Sequence, residues 1–302
     1  MTYSSILILT RNEAGNIGRC LDGVFSQKFE RAMEVIVVDS GSTDATVEIA
    51  RRYPVRVEQI PAGSFHHART RNYAAGLASG EFLVYLAADA FPASEGWLES
   101  LLEPFADREV AAVYGRHLAK EGATLERCAT LATIYGESPL VKDRSRKREL
   151  GHRCYHFSTV NAALRRAVWE QVNFPEVKVF EDVAIAKRLI EAGWKIAYEP
   201  RAAVYHSHNH EPDKLLKRYF DIGVMWRRLG LWDRDFRASL VRDAWRLVRA
   251  GGGNGHKNGN GVRPRGSLRL NAAKFAGVAL GLNERLLPLK AKKRLSAFHL
   301  FD

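Results

Sequence analysis

Short apolar runs alternate with amphipathic or helix-forming stretches through the first 115 residues of the chain. Each run has the length of a buried β-strand, and the first intervening stretch places Ile17, Leu21, Val24 and Phe25 on one helical face. This βαβα order predicts a mainly parallel sheet covered by helices on both faces. The predicted strands are SILIL, EVIVVD, VRVEQI, FLVYLA and VAAVYG, and the predicted helices are NIGRCLDGVFSQ, STDATVEIARRY and HARTRNYAAGLA.

The pattern is less regular in residues 119–155, where the charge run KDRSRKRE predicts a mobile loop. Periodic segments then return as FSTVNAALRRAVWEQV, a helix over DVAIAKRLIEAG, and two strand-like pieces, KIAYEP and AAVYHSH. Two basic helices, KLLKRYFDIGVMWRRLGL and FRASLVRDAWRLVRA, precede the glycine-rich stretch AGGGNGHKNGNG. We therefore expect an α/β domain over 1–213, a basic helical extension over 214–249, a flexible linker over 250–266 and a basic C-terminal segment over 267–302.

Composition narrows the class of protein. The 302 residues are 46% apolar, which is enough for a substantial core. Three cysteines without a CxxC pair argue against a disulfide framework or a zinc knuckle and fit a reducing compartment. The N-terminus lacks the features of a signal peptide, and the longest uncharged apolar run near the C-terminus, Phe275 to Leu282, is far short of a membrane span. These features predict a cytoplasmic protein.

Positive charge is concentrated in the last third of the chain. Up to Asp213 there are 26 Lys and Arg against 28 Asp and Glu, whereas from Lys214 onward there are 20 against 6. A tail with this excess suits an anionic partner such as a membrane surface, a nucleic acid or a phosphorylated lipid. The alternative is that these side chains only solvate the surface of basic helices. No nucleic-acid-binding module is recognisable, so we expect no nucleic-acid partner.

Polar residues follow three predicted strands at the points where the strands end. Thr10, Arg11 and Glu13 come after the first, Asp39 ends the second, and Asp89 follows FLVYLA with alanines on either side. Open α/β sheets bind ligands at these carboxyl ends. Asp39 can accept hydrogen bonds from a ribose or a base, or it can cap the turn-forming stretch SGSTD. The first loop reads TRNEAGNIG where a dinucleotide site would need GxGxxG, which argues against a nicotinamide oxidoreductase.

Three further groups of residues each have a functional and an ordinary structural interpretation. Arg69 and Arg71 lie two apart on a predicted helix, so we expect one of them to reach a phosphate and the other to be solvated. Glu181 and Asp182 open a helix, where acids are stabilised by the helix dipole or can act as a general base. HSHNH, His206 to His210, puts histidines at every second residue, which is either metal-ligand spacing on a strand or a polar strand end.

Taken in order, several stretches resemble the nucleotide-sugar glycosyltransferases of family 2, whose α/β fold is usually called GT-A. The stretches are ILTRNEAGNIGRCL, EVIVVDSGSTDATVEIA, FHHARTRNYAAGLASGEFLVYLAADAFP and FEDVAIAKRLIEAGWKIAYEPRAAVYHSH. The DAFP strand end, the run from Ser158 to Arg166, and HSHNH followed by KRYFDIGV are similar to bacterial rhamnosyltransferases within that family. The resemblance covers roughly residues 4–110 and 155–210.

This resemblance implies roles for individual positions. Asp182 matches the catalytic base of the family. Asp89 matches the second acid of its Asp-x-Asp motif and would bind Mg²⁺ or Mn²⁺, together with His206. The first acid of that motif is replaced by Ala87, which puts the affinity for the metal in doubt. The implied nucleotide-binding positions are Thr10, Arg11, Glu13, Asp39, Arg71 and Ala88.

The implied function is metal-dependent, inverting transfer of L-rhamnose from dTDP-L-rhamnose to a hydroxyl of a polysaccharide or of a lipid-linked glycan. A family 2 transferase using a UDP- or GDP-linked hexose is the alternative within enzymes. A non-catalytic protein that binds a nucleotide sugar, a glycan or a nucleic acid is the alternative from another class. With a lipid-linked acceptor, the basic C-terminal region would place the enzyme on the anionic inner face of the cell membrane.

Overall fold

The computed structural model describes residues 2–209, 211–239 and 266–302, which form two compact units. The first unit contains Met1–Ala123, Arg127–Arg144 and Tyr155–Ser207, and the second contains Thr124–Glu126, Ser145–Cys154 and His208–Asp302. The predicted linker up to residue 265 and the predicted helix beyond residue 239 lie outside the described residues.

A single mixed sheet is the centre of the first unit, with strand order β3-β2-β1-β4-β8-β6-β9-β5 and with β7 also paired to β9. The half formed by β3, β2, β1 and β4 is parallel, and β8 runs antiparallel to both β4 and β6. The strands are β1 (Ser4–Thr10), β2 (Met33–Asp39), β3 (Arg56–Gln59), β4 (Phe82–Ala87), β5 (Phe91–Pro92), β6 (Val110–Leu118), β7 (Leu140–Lys142), β8 (Asn161–Arg165) and β9 (Lys195–Tyr205).

The apolar runs form the central strands because both faces of those strands are buried. Ile6, Ile8, Val37 and Val84 point into one core cluster, and Leu7 of the same sheet is also completely buried. Continuous apolar runs of this kind are typical of parallel strands with helices on both sides. The sheet therefore confirms the predicted mainly parallel α/β architecture.

The helices that connect the strands begin and end close to the predicted positions in the first hundred residues. The α-helices of the two units are α1 (Ile17–Phe25), α2 (Thr46–Ala50), α3 (His67–Leu77), α4 (Trp97–Leu102), α5 (Leu125–Ile134), α6 (Lys147–Leu150), α7 (Arg166–Trp169), α8 (Glu181–Glu191), α9 (Pro212–Arg228), α10 (Gly266–Leu282) and α11 (Leu289–Leu295). Within the described residues, no helix is both long enough and apolar enough to span a lipid bilayer.

Two predictions of secondary structure are wrong. Residues 119–155 are not a loop, because α5, β7 and α6 form there. Lys142, from the charge run, is fully buried; its ammonium donates a hydrogen bond to the carbonyl of His156 and lies 4.4 Å from the centre of the Tyr114 ring. KIAYEP and the AAVY of AAVYHSH form one continuous strand, β9, which ends at Tyr205, and its pairing with β6 shifts register between Gly115 and Arg116. Pro200, which separates the two sequence patterns, lies within this register shift. His206 and His208 lie beyond the end of that strand.

In the second unit, α9 and α10 pack at very short range through glycines. A Cβ atom on Gly281 would overlap the carbonyl of Phe220 and lie 2.9 Å from the amide nitrogen of Val224. Added Cβ atoms on Gly223 and Gly277 would likewise lie 3.0 Å or less from the facing helix. Asp221, on α9, is also buried, and its carboxylate accepts hydrogen bonds from the amides of Ala297 and Phe298 beyond α11.

Candidate active site

A cleft of about 290 Å³ lies along β1 and β4 toward their carboxyl ends. Thr10 and Arg11 line it from the end of β1, Arg71 from α3 and Ala87 from the end of β4. Thr10 is buried, and its hydroxyl has no hydrogen-bond partner among the described residues. The cleft therefore has two arginines beside apolar strand residues, a combination that suits an anionic ligand with a flat apolar part.

The loops after β1 and β2 are joined to each other by hydrogen bonds. The amide of Asn12 donates to the hydroxyl of Ser42 at 2.8 Å, and the side-chain oxygen of Asn12 accepts from the amide of Thr43 at 2.9 Å. The amide of Glu13 donates to the hydroxyl of Thr46 at 2.7 Å. Asn12 has a φ of +54°, a left-handed conformation that asparagine tolerates better than most residues. These bonds hold both strand ends in one rigid rim beside the cleft.

Asp39 is fully buried, and its carboxylate is used within that rim. It accepts hydrogen bonds from the amides of Gly41 at 3.1 Å and Ser42 at 3.0 Å, and from the Ser42 hydroxyl. The turn-capping interpretation of Asp39 is therefore what the structure shows. Neither Asp39 nor Glu13 nor the buried Ala88 is among the residues that line the cleft, so a nucleotide contact by these three stays a prediction.

Arg71 joins the cleft to the start of α8. Its guanidinium donates to the Glu181 carboxylate at 2.5 Å, and the two side chains are only 14% and 6% exposed. The other arginine on this helix, Arg69, is 62% exposed, with Glu176 3.8 Å away. Burial also lowers the pKa of His67, one turn before Arg71, so its imidazole favours the neutral form. Of the two arginines, Arg71 is thus the one at the cleft.

Asp182 follows Glu181 in the first turn of α8. Phe180, which caps this helix, has a φ of +61°, and the helix starts abruptly after it. The Asp182 carboxylate is partly buried and accepts a hydrogen bond from the amide of Val183 at 2.8 Å. Burial raises the pKa of the Tyr135 hydroxyl, a hydrogen bond with Ser158 lowers it, and the negative charge of Asp182 raises it further. The helix N-terminus stabilises Asp182 as a carboxylate.

Asp89 lies between two cationic or potentially cationic groups. Its Oδ2 is 3.3 Å from Nζ of Lys120, and its Oδ1 is 3.5 Å from Nε2 of His206. Burial raises the pKa of the Cys20 thiol, and the Asp89 carboxylate raises it further. Asp89 and His206 fit a divalent ion, because their ligand atoms are close to the roughly 3 Å that separates neighbouring ligands of one small ion. His208 belongs to the second unit, and His210 lies outside the described residues.

An aromatic layer lies behind His206. The His117 ring stacks on Tyr135 with centroids 4.2 Å apart and contacts His206 edge to face at 5.4 Å. Burial lowers the pKa of His117 well below its ordinary value, and the neighbouring His206 adds to this effect. The layer therefore holds His206 against Asp89 with neutral, tightly packed rings.

Sequence reasoning missed Lys120, Tyr135 and the Arg71–Glu181 ion pair. Lys120 lies 31 residues beyond Asp89, and Glu181 lies 110 beyond Arg71, so no local pattern connects the partners. Tyr135 lies in the segment that was predicted to be a loop. The apolar, strand-like run VAAVYG, which precedes Lys120, was the one available signal, since a residue just past the end of a neighbouring strand can reach the same edge of the sheet.

The chain is similar in sequence to characterised transferases. A sequence model described as Glycosyl transferase family 2 matches residues 5–172. The O-antigen chain rhamnosyltransferase WbaN of Salmonella anatum is 35% identical over 91% of this chain and 87% of that protein. The corresponding RfbN of Salmonella typhimurium is 32% identical over 97% of this chain and 94% of that protein. The chain belongs to glycosyltransferase family 2. It is a glycosyltransferase that resembles the rhamnosyltransferases of that family, as its motifs predicted.

Solved structures of low sequence identity share the fold of this family 2 enzyme. The mannosyltransferase PcManGT from Pyrobaculum calidifontis, solved with GDP-Man and Mn²⁺, is 18% identical and covers 93% of this chain and 87% of its own, with a TM-score of 0.63. TarS of S. aureus, solved with UDP-GlcNAc, is 19% identical and covers 100% of this chain and 88% of its own, with a TM-score of 0.58. The predicted GT-A type of fold is confirmed.

Proposed function

We propose that this family 2 enzyme transfers L-rhamnose from dTDP-L-rhamnose, with inversion, to a hydroxyl of a polysaccharide or lipid-linked glycan. The observation that carries the choice of sugar is the similarity to two O-antigen rhamnosyltransferases over more than nine-tenths of the chain. The alternative, a UDP- or GDP-linked hexose, is supported by structural neighbours solved with UDP-GlcNAc and GDP-Man. Those neighbours are far less similar in sequence, so we favour the rhamnosyl donor.

In this proposal the donor nucleotide occupies the cleft along β1 and β4. Thr10 and Arg11 line that cleft from the end of β1, and Arg71 lines it from α3. Glu181 fixes the Arg71 guanidinium in one orientation, which reduces the entropy that Arg71 loses on binding a phosphate. The remaining predicted nucleotide-binding residues are Asp39 and Glu13, in the rim, and Ala88, at the end of β4.

Asp89 and His206 are the residues that would hold Mg²⁺ or Mn²⁺. A divalent ion bound there supplies positive charge to the diphosphate leaving group. A carboxylate is a suitable ligand for either ion, whereas an imidazole is more usual on Mn²⁺ than on Mg²⁺. Asp89 and His206 would supply two ligands, which would leave much of the coordination shell for phosphate oxygens and water.

Asp182 is the proposed general base. Its carboxylate would accept the proton of the acceptor hydroxyl as that oxygen attacks the anomeric carbon from the face opposite the diphosphate. The α8 N-terminus stabilises negative charge on Asp182, and the adjacent Arg71–Glu181 ion pair fixes the first turn of that helix. A base of this kind contributes roughly 10²–10⁴-fold to the rate.

Two measurements test this function. Thermal unfolding with dTDP, UDP or GDP, each with and without Mn²⁺, should show the largest stabilisation with dTDP and Mn²⁺. Asp182→Asn should lose about 10²–10⁴-fold in transfer while retaining the nucleotide-dependent stabilisation. The matched control is Glu191→Gln, which neutralises an exposed acid at the other end of α8 and should keep full activity. Near-full transfer by Asp182→Asn would refute its role as base.

We also propose that the second unit places the enzyme on an anionic membrane surface, as a peripheral protein of the inner face of the cell membrane. Leu286 and Leu289 are 83% and 59% exposed, next to Arg285, Lys290 and Lys293. Exposed apolar side chains among cationic ones suit the interface of an anionic bilayer. This location would bring the cleft-bearing unit to a lipid-linked acceptor.

Vesicle sedimentation tests the membrane proposal. Leu286→Asp with Leu289→Asp should weaken binding to vesicles that contain phosphatidylglycerol. Val141→Asp, at an apolar residue of the first unit that is 42% exposed, is the control and should bind normally. Equal binding by the double variant and the native chain would exclude this surface.

A further inference from the structure

Lys120 is an anchored cation beside the single acid of the proposed metal site. It follows β6, and its backbone amide donates to the hydroxyl of Ser207 at 2.9 Å. Its ammonium lies 4.8 Å from the centre of the Phe91 ring as well as 3.3 Å from Oδ2 of Asp89. Backbone, ring and carboxylate therefore fix the side chain, which is only 21% exposed.

The Asp89–Lys120 ion pair has no net charge without a metal ion. Asp89 is the sole acid of its strand end, because Ala87, Ala88 and Ala90 surround it. One carboxylate and one ammonium sum to zero, and both are largely shielded from solvent, where screening by water and salt is weak. A divalent ion that approaches Asp89 gains attraction from one negative charge and meets repulsion from one positive charge at nearly the same distance.

We propose that Lys120 is the resident counter-cation of Asp89: it keeps the affinity for a divalent ion low in the nucleotide-free enzyme and turns to the diphosphate when the donor binds. The second half of this inference rests on the function proposed above. A diphosphate introduces negative charge that can accept the hydrogen bonds of an ammonium group, as lysines commonly provide for phosphates. Once Lys120 has turned, Asp89 is available to the metal ion.

In this proposal Lys120 binds the diphosphate of the donor, and its charge makes the metal ion bind after the donor. A purely structural Asp89–Lys120 ion pair would stabilise the fold and have no effect on metal affinity in the variant below. If Lys120 competes with the metal ion, removal of its charge should raise the affinity for Mn²⁺. The two interpretations therefore differ in the sign of one measurement.

The test is Mn²⁺ binding by the purified full-length chain without nucleotide, followed from the electron paramagnetic resonance signal of free Mn²⁺. Lys120→Met should bind Mn²⁺ at least about tenfold more tightly than the native chain, because a full positive charge near the ion is gone. Lys120→Arg, which retains the charge, should resemble the native chain. Lys187→Met, at a lysine with similar exposure that pairs with Glu191, should also leave Mn²⁺ binding unchanged.

One further variant and one further measurement make the outcome specific to this position. Adding Asp89→Asn to Lys120→Met should abolish the gained Mn²⁺ binding, whereas a gain that persists overturns the inference. Unchanged or weaker Mn²⁺ binding by Lys120→Met, with a normal thermal unfolding midpoint, overturns it as well. In metal-free buffer, Lys120→Met should also bind dTDP at least about tenfold more weakly, and unchanged dTDP affinity would refute the diphosphate contact. Failure of the proposed function is distinguishable, because the native chain would then show no stabilisation by any nucleotide.

Discussion

The side chain of Asn161, the first residue of β8, links that strand to β9 and to α4. It is fully buried; its side-chain nitrogen donates to the carbonyl of Ala202 at 2.8 Å, and its side-chain oxygen accepts from the indole of Trp97 at 2.9 Å. Gly115 faces it, and a Cβ there would overlap both Asn161 and the Ala202 carbonyl. We expect Asn161→Ala to be among the most destabilising substitutions in the first unit.

The magnitude follows from the groups left behind. The variant removes the Asn161 partner of one buried N–H on Trp97 and of one carbonyl on Ala202. Each unsatisfied group costs about 1–3 kcal/mol, so the free energy of unfolding should fall by about 2–6 kcal/mol. Replacing Trp97 by Phe in the Asn161→Ala background removes one of the two unsatisfied groups. That second substitution should therefore cost about 1–3 kcal/mol less than Trp97→Phe costs in the native chain.

The assay is a double-mutant cycle from urea unfolding of the native chain, both single variants and the double variant. The transition of the first unit can be followed by far-ultraviolet circular dichroism, with a fit that allows the two units to unfold separately. A coupling energy near zero between Asn161 and Trp97 would refute the reasoning, because it would mean that the indole N–H finds another partner. A loss below about 1 kcal/mol for Asn161→Ala would refute it too.

Other consequences of the structure can be measured directly. Gly281→Ala should destabilise the second unit despite a gain in helix propensity of about 1 kcal/mol, because its Cβ meets the facing helix; Gly76→Ala, in open space on α3, should stabilise by up to that amount in the same urea titration. Since Cys128 is the one cysteine that is not buried and the pKa of Cys20 is raised, a thiol reagent at pH 8 should label about one thiol rapidly, and rapid labelling of more would contradict this. The pKa of His67 is lower in the folded chain than its value of about 6.5 in the unfolded chain. The native chain therefore loses stability as the pH falls below about 6.5, because the unfolded chain then binds the proton more readily. His67→Gln should lose less stability than the native chain between pH 7.5 and 5.5.

The parallel half of the sheet was predictable because its signal is local. FLVYLA forms β4 from Phe82 to Ala87 as predicted, since a short run of apolar residues bounded by turn residues fits a strand that is buried on both faces. Residues 119–155 were not predictable in this way. The burial of Lys142 depends on the Tyr114 ring and the His156 carbonyl, which come from elsewhere in the unit, and a dense charge run otherwise indicates solvent exposure.

Individual residues of the candidate cleft were predictable from the sequence, but their pairing was not. Strand ends indicated Thr10, Arg11 and Asp89, and the structure places the first two at the cleft. The choice between Arg69 and Arg71 could not be made from helical spacing, because burial of Arg71 is imposed by Glu181 on a distant helix. Ion pairs between elements far apart in sequence become visible once the sheet has brought those elements together.

With Ala87 in place of the first acid of the Asp-x-Asp motif, the proposed metal site has one negative charge fewer. A site with two acids repels a diphosphate until a metal ion neutralises them. Here Ala87 lines the cleft without a charge, and the remaining acid, Asp89, is neutralised by Lys120. Under the proposed function, a donor would then bind before the metal ion, and its diphosphate would create much of the affinity for that ion. Because coupling between two ligands is reciprocal, the factor by which the nucleotide tightens Mn²⁺ binding must equal the factor by which Mn²⁺ tightens nucleotide binding. If Lys120 is the counter-cation, that shared factor should fall in Lys120→Met, since Mn²⁺ would then already bind Asp89 in the absence of donor.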